Sequence, residues 1–146
     1  MNGLVFALTF PLTVPFWALM IFLPGWARTR RIVESSLIVV PPLIGYAILA
    51  VTEFERLWPV VSQPSLAGLQ SFLGSPAGAA TIWAHVIAFD LFVGRWIYLD
   101  SRDRGLHPLV TAPVLVLTIL LAPFGLLAHL ALRKSVRKGP LYHRKR

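Results

Sequence analysis

The chain has 146 residues, of which 56% are hydrophobic and 14% charged, and its formal net charge is +8. With a mean hydropathy of +0.70 it has too little polar surface to cover a soluble core, so the composition predicts a membrane protein. The sequence contains no cysteine, which excludes disulfides, thiolate catalysis and thiolate metal sites. Membrane lipid is a sufficient partner for the basic charge, and nucleic acid is not expected.

Four apolar stretches reach the roughly 17 to 25 residues that cross the hydrocarbon core of a bilayer. They cover residues 2–23, 35–51, 77–99 and 109–132. The sequence therefore predicts an all-α membrane protein, a bundle of four transmembrane helices that forms one domain over residues 1–132. A basic tail follows over residues 133–146. The first stretch has no charged residue before it and no Ala-x-Ala cleavage site, so we expect a retained span in a multi-pass protein of the cell membrane.

Proline lies in the second stretch at Pro41 and Pro42 and in the fourth at Pro113 and Pro123. Prolines in membrane helices predict kinked members of the bundle. The second stretch, the shortest, is either a kinked span or a segment that enters the membrane without crossing it. With four spans, Lys and Arg number five on one side, or six with Arg95, against eight on the other. This balance leaves the orientation open.

The connection over residues 52–76 is the one sizeable loop. Its apolar residues Leu66, Leu69, Phe72 and Leu73 have helical spacing, which predicts a short interfacial helix. A connection of this length can lie over the bundle as a lid.

Three ionisable residues, His85, Asp90 and Arg95, lie inside the third apolar stretch. A carboxylate at the centre of a bilayer costs about 2.5 kcal/mol or more, so Asp90 is the leading functional candidate. The structural alternative is an interhelical hydrogen bond or ion pair. At about 100° per residue, Asp90 lies about 140° from His85 and Arg95 about 280° from it. No two of them share a helix face, which argues against a metal site or a relay built from His85 and Asp90 alone.

Aromatic residues accompany these groups and suit an elongated apolar ligand between helices. The candidate substrate-binding residues are Trp83, Phe89, Phe92, Arg95 and Trp96. Each has a structural alternative, because aromatic side chains more often pack, and Arg95 can extend to the lipid headgroups. His85 can likewise form a hydrogen bond across the bundle. We expect His129 at the membrane interface, and we expect the charges after residue 99 to be solvated or to form a polar cap.

The third stretch and two shorter segments resemble a known family. They read WAH at 83–85, AFDLFVGRWIYLDSR at 88–102, LT at 117–118 and PFGLL at 123–127. These segments resemble the abscisic-acid-deficient-4-like family, small integral membrane proteins named for a plant plastid protein required to convert violaxanthin to neoxanthin. The resemblance extends over almost the whole chain and implies a four-helix membrane protein connected with epoxycarotenoid isomerisation. No organelle-type leader precedes the first stretch, so a bacterial member is expected.

The chemistry that this resemblance implies is an isomerisation without a cofactor. Opening a 5,6-epoxide to an allenic alcohol needs a proton delivered to the epoxide oxygen and a proton removed from the neighbouring polyene carbon. Asp90 is the candidate acid and His85 the candidate base, as catalytic residues. The alternative is a non-enzymatic membrane subunit, assembly factor or lipid-binding protein, in which Asp90 and Arg95 hold helices together. A small transporter is a weaker third class. The substrate and the oligomeric state stay open.

Overall fold

The structure is a computed structural model that describes residues 1–135. Every element over these residues is helical, which confirms the predicted all-α class for this part of the chain. The helices are α1 (Asn2–Phe22), α2 (Ala27–Glu34), α3 (Val40–Thr52), α4 (Phe54–Ser62), α5 (Leu66–Leu73), α6 (Pro76–Asp103) and α7 (Pro108–Ser135), with a 3₁₀ turn over Ser36–Val39. Of the predicted tail over residues 133–146, the part from residue 136 onward lies outside the described residues.

Three of these helices, α1, α6 and α7, are long and apolar enough to cross a membrane. Within the described residues, α2 and the segment Ser36–Thr52 add a fourth span only if the pair counts as one broken span. The predicted second span therefore differs from a regular helix. Pro41 and Pro42 have no amide N–H and are tolerated only in the first turn, so α3 begins beside them and keeps 13 residues. Such a helix extends about 20 Å, short of a hydrocarbon core of about 30 Å.

Large apolar side chains are exposed along the candidate spans. On α1 and α7 they include Leu4, Phe6, Leu8, Leu12, Leu120, Phe124 and Leu127. Helix α6 is the most internal of the three, because half of its most apolar 18-residue window is buried, against 22% for α1 and 28% for α7. An apolar exterior on long helices is what a lipid environment accommodates.

The chain divides into two compact units. Unit 1 comprises Met1–Val14 and Val39–Phe89, and unit 2 comprises Pro15–Ile38 and the chain from Asp90 onward. Unit 1 contains α3, α4, α5 and the first part of α6. The predicted short helix over Leu66–Leu73 is confirmed as α5, and Ser65 caps it by accepting a hydrogen bond from the Gly68 amide. Helix α4 has no counterpart in the prediction, since Pro59 lies inside it and indicates a loop in the sequence.

Unit 2 contains α2, the second part of α6 and α7. Trp17 is buried against Gly94, where any Cβ would overlap the indole ring. Helix α6 ends at Asp103, and two residues later Gly105 has a φ of 69°, in the left-handed region that glycine adopts without strain. The Leu106 amide donates to the Ser101 carbonyl at 2.9 Å, as is usual at such helix ends.

The predicted kink in the fourth apolar stretch is confirmed in α7. Leu121 leaves the helical region with φ −149° and ψ 75°, two residues before Pro123. Because Pro123 has no amide N–H, the helix loses a hydrogen bond at this turn and bends there. Helix α7 begins at Pro108, and the His107 ring caps it by accepting a hydrogen bond from the Leu109 amide at 3.2 Å.

Candidate functional site

His85 lies among aromatic rings in unit 1. Its imidazole centroid is 4.7 Å from that of Phe89 in a stacked arrangement and 5.3 Å from that of Tyr46 in an edge arrangement. Trp83 packs with its ring centroid 5.2 Å from that of Phe6. Of the residues predicted from sequence, His85 and Phe89 are thus in contact. Tyr46 was missed, because nothing in the sequence indicates that its α3 helix packs on this part of α6.

A cavity of about 230 Å³ opens beside His85, between α3, α4, α5 and α6. Its walls are formed by Tyr46, Leu57, Val60, Val61, Leu69, Phe72, Leu73, Thr81, Ile82 and His85. Helices α4 and α5 supply six of these side chains, all apolar, so the connection over residues 52–76 forms much of the cavity wall, and its role as a lid stays a prediction.

The cavity has three polar side chains, and one of them is already satisfied. The Thr81 hydroxyl donates to the Ala77 carbonyl of its own helix at 2.8 Å. Over residues 1–135, neither the Tyr46 hydroxyl nor the His85 ring forms a hydrogen bond. These two groups therefore retain their capacity to donate and accept in an otherwise apolar cavity.

Asp90 belongs to unit 2 and is buried, with 9% of its surface exposed. Its burial confirms that the side chain is sheltered by protein. The expected polar partner is not found, since Asp90 forms no hydrogen bond or ion pair with any residue of the described part of the chain. A largely buried carboxyl group without a partner has a cost for folding, which is typical of residues kept for function, although the Asp90 oxygens are not completely enclosed.

Arg95 has a clear structural role in unit 2. Its Nε donates to the Val33 carbonyl at 2.7 Å, and its Nη2 donates to the Glu34 carbonyl at 2.5 Å. These are the last two carbonyls of α2, which have no partner within that helix. A positive charge at a helix C-terminus is also favoured by the helix dipole. The guanidinium thus caps α2, and a further role in substrate binding stays a prediction.

A buried cluster that the sequence analysis missed lies where α6 ends and α7 approaches its own end. Asp100 accepts hydrogen bonds from Arg104 Nε at 2.8 Å, His129 Nε2 at 3.0 Å and Arg133 Nη2 at 3.3 Å. The Trp96 ring packs edge-on against the His129 ring, with their centroids 5.2 Å apart. The guanidinium carbon of Arg133 lies 5.1 Å from the centroid of the Trp96 ring.

Two expectations are corrected by this cluster. His129 is 1% exposed and Asp100 is 8% exposed, so neither is a solvated interface group, and only the polar-cap alternative for Asp100 fits. The signal was present in the sequence as two pairs at i,i+4 spacing, Asp100 with Arg104 and His129 with Arg133. A short connection between α6 and α7 brings only the start of α7 close to Asp100, and the residues His129 and Arg133 that reach it lie beyond the break of α7 at Leu121. Trp96 packs on His129 and Arg133, Phe92 is 49% exposed, and the predicted role of both in ligand binding stays a prediction.

Metal binding has no support in the described residues, where no group of three histidine, aspartate or glutamate side chains is placed to hold an ion. The fold defines the chain as a small all-α protein whose longest helices have the length and apolarity of membrane spans.

The family model described as ABA DEFICIENT 4-like matches residues 4–129, and the chain belongs to this family. It is 28% identical over 131 residues to Protein ABA DEFICIENT 4, chloroplastic, of Arabidopsis thaliana. That match covers 86% of this chain and 58% of the relative, so the chain spans little more than half of the plant protein's length. No solved structure matches this chain.

Proposed function

We propose that the chain is a membrane-embedded isomerase that acts on an epoxycarotenoid or a related terpenoid, as the resemblance to its family implies. The observation that carries the proposal is the cavity of about 230 Å³ in unit 1, which is apolar except at His85, Tyr46 and the satisfied Thr81. An apolar cavity with a few polar groups is the usual form of a small-molecule site. His85, a predicted catalytic residue, lies on its wall.

The proposed reaction moves two protons and no electrons. An acid protonates the epoxide oxygen, one C–O bond breaks, and a base removes a proton from the adjacent polyene carbon, so that the product is an isomer of the substrate. We assign the base to His85, whose ring has no hydrogen bond within the described residues. Asp90, which belongs to unit 2 and is not on the wall of this cavity, stays the candidate acid from the sequence alone, because a carboxyl group in apolar surroundings can keep the proton that it has to donate.

We also propose that the chain crosses a membrane four times and resides in the cell membrane. Three helices have the required length, and α2 with Ser36–Thr52 would form the fourth, broken span. The exposed apolar side chains on α1 and α7 would then face lipid.

A non-enzymatic role is favoured by one set of observations. Arg95 caps α2, and Asp100 binds three basic side chains, so most ionisable groups of the long helices in unit 2 have structural partners. A subunit or assembly factor would need nothing more. Asp90 in unit 2 and His85 in unit 1 form no side-chain hydrogen bond within residues 1–135, and they decide between the two functions.

The experiment is to express the chain in a bacterium that produces violaxanthin and to analyse the extracted pigments by liquid chromatography. We expect an allenic isomer that is absent without the gene. Asp90→Asn should abolish its formation, and His85→Ala should reduce it strongly, while the amount of folded protein in the membrane is unchanged. Asp103→Asn, which alters a half-buried carboxylate of the same helix, is the matched control and should retain the activity.

Two results would contradict the proposal. One is an unaltered pigment profile despite folded protein in the membrane. The other is full activity in both variants together with lower thermal stability in detergent, which would show that Asp90 and His85 serve the fold alone.

A further inference from the structure

The cavity in unit 1 is too small for a whole elongated ligand. A cavity of about 150 Å³ holds one benzene molecule, so about 230 Å³ has room for about nine carbon atoms. Pockets that enclose drug-sized ligands usually measure about 300 Å³ or more. The cavity therefore fits one substituted six-membered ring, and the remainder of a long ligand has to lie outside it.

The polar groups of the cavity determine what such a ring should carry. Thr81 is already engaged with the Ala77 carbonyl, which leaves the Tyr46 hydroxyl and the His85 ring. Their ring centroids are 5.3 Å apart and both side chains line the cavity, so a single ring-sized ligand contacts both. A neutral imidazole and a phenol each offer a donor or an acceptor, so the pair can donate to and accept from a single hydroxyl. A pure hydrocarbon ring would remove water from the Tyr46 hydroxyl and the His85 imidazole and would form no hydrogen bond with either group.

We propose that Tyr46 is a specificity-determining residue, which together with His85 binds one oxygen of a single ligand ring inside the cavity of unit 1. The inference rests on the proposed function only in taking the ring to be the end group of a longer terpenoid. It adds that recognition is of one ring at a time and that the Tyr46 hydroxyl distinguishes an oxygenated ring from a hydrocarbon ring. Leu57, Val60 and Phe72 enclose the ring from α4 and α5 by apolar contact.

Two probes of ring size differ by a single hydroxyl, 3,3,5-trimethylcyclohexanol and 1,1,3-trimethylcyclohexane. Each is titrated into the full chain in lipid nanodiscs, and binding is followed by NMR of isotope-labelled histidine. The His85 resonance is assigned by its loss in His85→Gln. A hydrogen bond contributes about 0.5–1.5 kcal/mol net, so we expect the alcohol to bind about three- to tenfold more tightly than the hydrocarbon.

Tyr46→Phe removes the hydroxyl and keeps the ring. We expect it to bring the two affinities to within about twofold of each other while the affinity for the hydrocarbon is unchanged, which also shows that the cavity remains folded. Two matched controls should keep the wild-type ratio. Thr81→Val changes a wall residue whose hydroxyl is already satisfied, and Tyr98→Phe removes a phenol hydroxyl in unit 2 that donates to the Pro24 carbonyl.

The outcomes separate this inference from the proposed function. If both probes bind at His85 but Tyr46→Phe leaves their ratio unchanged, Tyr46 is not the specificity determinant, and a ligand role for the cavity stands. If neither probe shifts the His85 resonance while the chain still forms the allenic isomer, the cavity is not the ring site and this inference fails alone. If neither binding nor isomer is found, both proposals fail.

Discussion

In unit 2, Asp100 accepts hydrogen bonds from three side chains, and of the two environments that the sequence left open for it only the polar cap fits. The predicted span ends at residue 99, which leaves Asp100 in a linker, whereas α6 continues to Asp103. Four further residues of helix bring Asp100 onto the same surface as Arg104 and next to α7. Apolar content defines a membrane span, but a helix does not have to end where its apolar residues end. Charges just beyond the apolar stretch can therefore be internal.

Asp100→Asn should lower the free energy of unfolding by about 2 kcal/mol or more, because Arg104, His129 and Arg133 would lose their shared negative partner in a buried cluster. The measurement is denaturant unfolding in detergent. Asp103→Asn is the matched control on the same helix turn, since its partner Arg30 is 46% exposed and such surface pairs contribute about 0–1 kcal/mol. Equal losses in the two variants would contradict the structural importance of the cluster.

Among the elements, α2 depends most on residues distant in sequence. It has eight residues with three arginines, and no side chain caps its N-terminus by a hydrogen bond. A helix of this length is unstable alone, so tertiary contacts have to hold it. Val33 is fully buried, the buried Thr29 hydroxyl donates to the Leu23 carbonyl, and Arg95 caps the C-terminus. Local sequence does not predict α2, because Arg95, which caps it, lies 62 residues after Val33 and 61 after Glu34.

Arg95→Met should loosen α2 while leaving α5 unchanged. Methionine fills similar space but donates no hydrogen bond to the Val33 and Glu34 carbonyls. A loss of about 1–2 kcal/mol of local stability corresponds to about five- to thirtyfold faster amide exchange in α2. Hydrogen exchange with mass spectrometry measures it. Arg56→Met, which removes an exposed guanidinium paired with Glu53 in unit 1, should leave exchange in α2 as it was. Unaltered exchange in Arg95→Met would show that α2 does not need this cap.

For the whole molecule, hydropathy predicted the long helices because α1, α6 and α7 are continuous apolar runs. Proline predicted the break in α7, and helical spacing predicted α5. The same rules failed for α4, because a proline inside a short helix looks like a loop. At the candidate site, the third apolar stretch identified His85 but not Tyr46 or the cavity. The position of Tyr46 and the shape of the cavity depend on how α3, α4 and α5 pack on α6. A local sequence pattern does not predict that packing.

The number of spans is a property of the whole molecule. Because the sequence contains no cysteine, a single introduced cysteine reports the side of the membrane on which its position lies. Single cysteines can replace Gly3 in the first turn of α1, Gly25 after α1 and Gln63 after α4. In sealed vesicles, an impermeant maleimide labels only those on the outer face. If α2 and Ser36–Thr52 form one broken span, Gly3→Cys and Gln63→Cys should label on the same side and Gly25→Cys on the other. A Gln63→Cys that labels with Gly25→Cys would mean that this segment re-enters without crossing, which leaves three spans. Glycine at positions 3 and 25 has no atom within 4 Å of an added Cβ, so the reporters fit at these two sites.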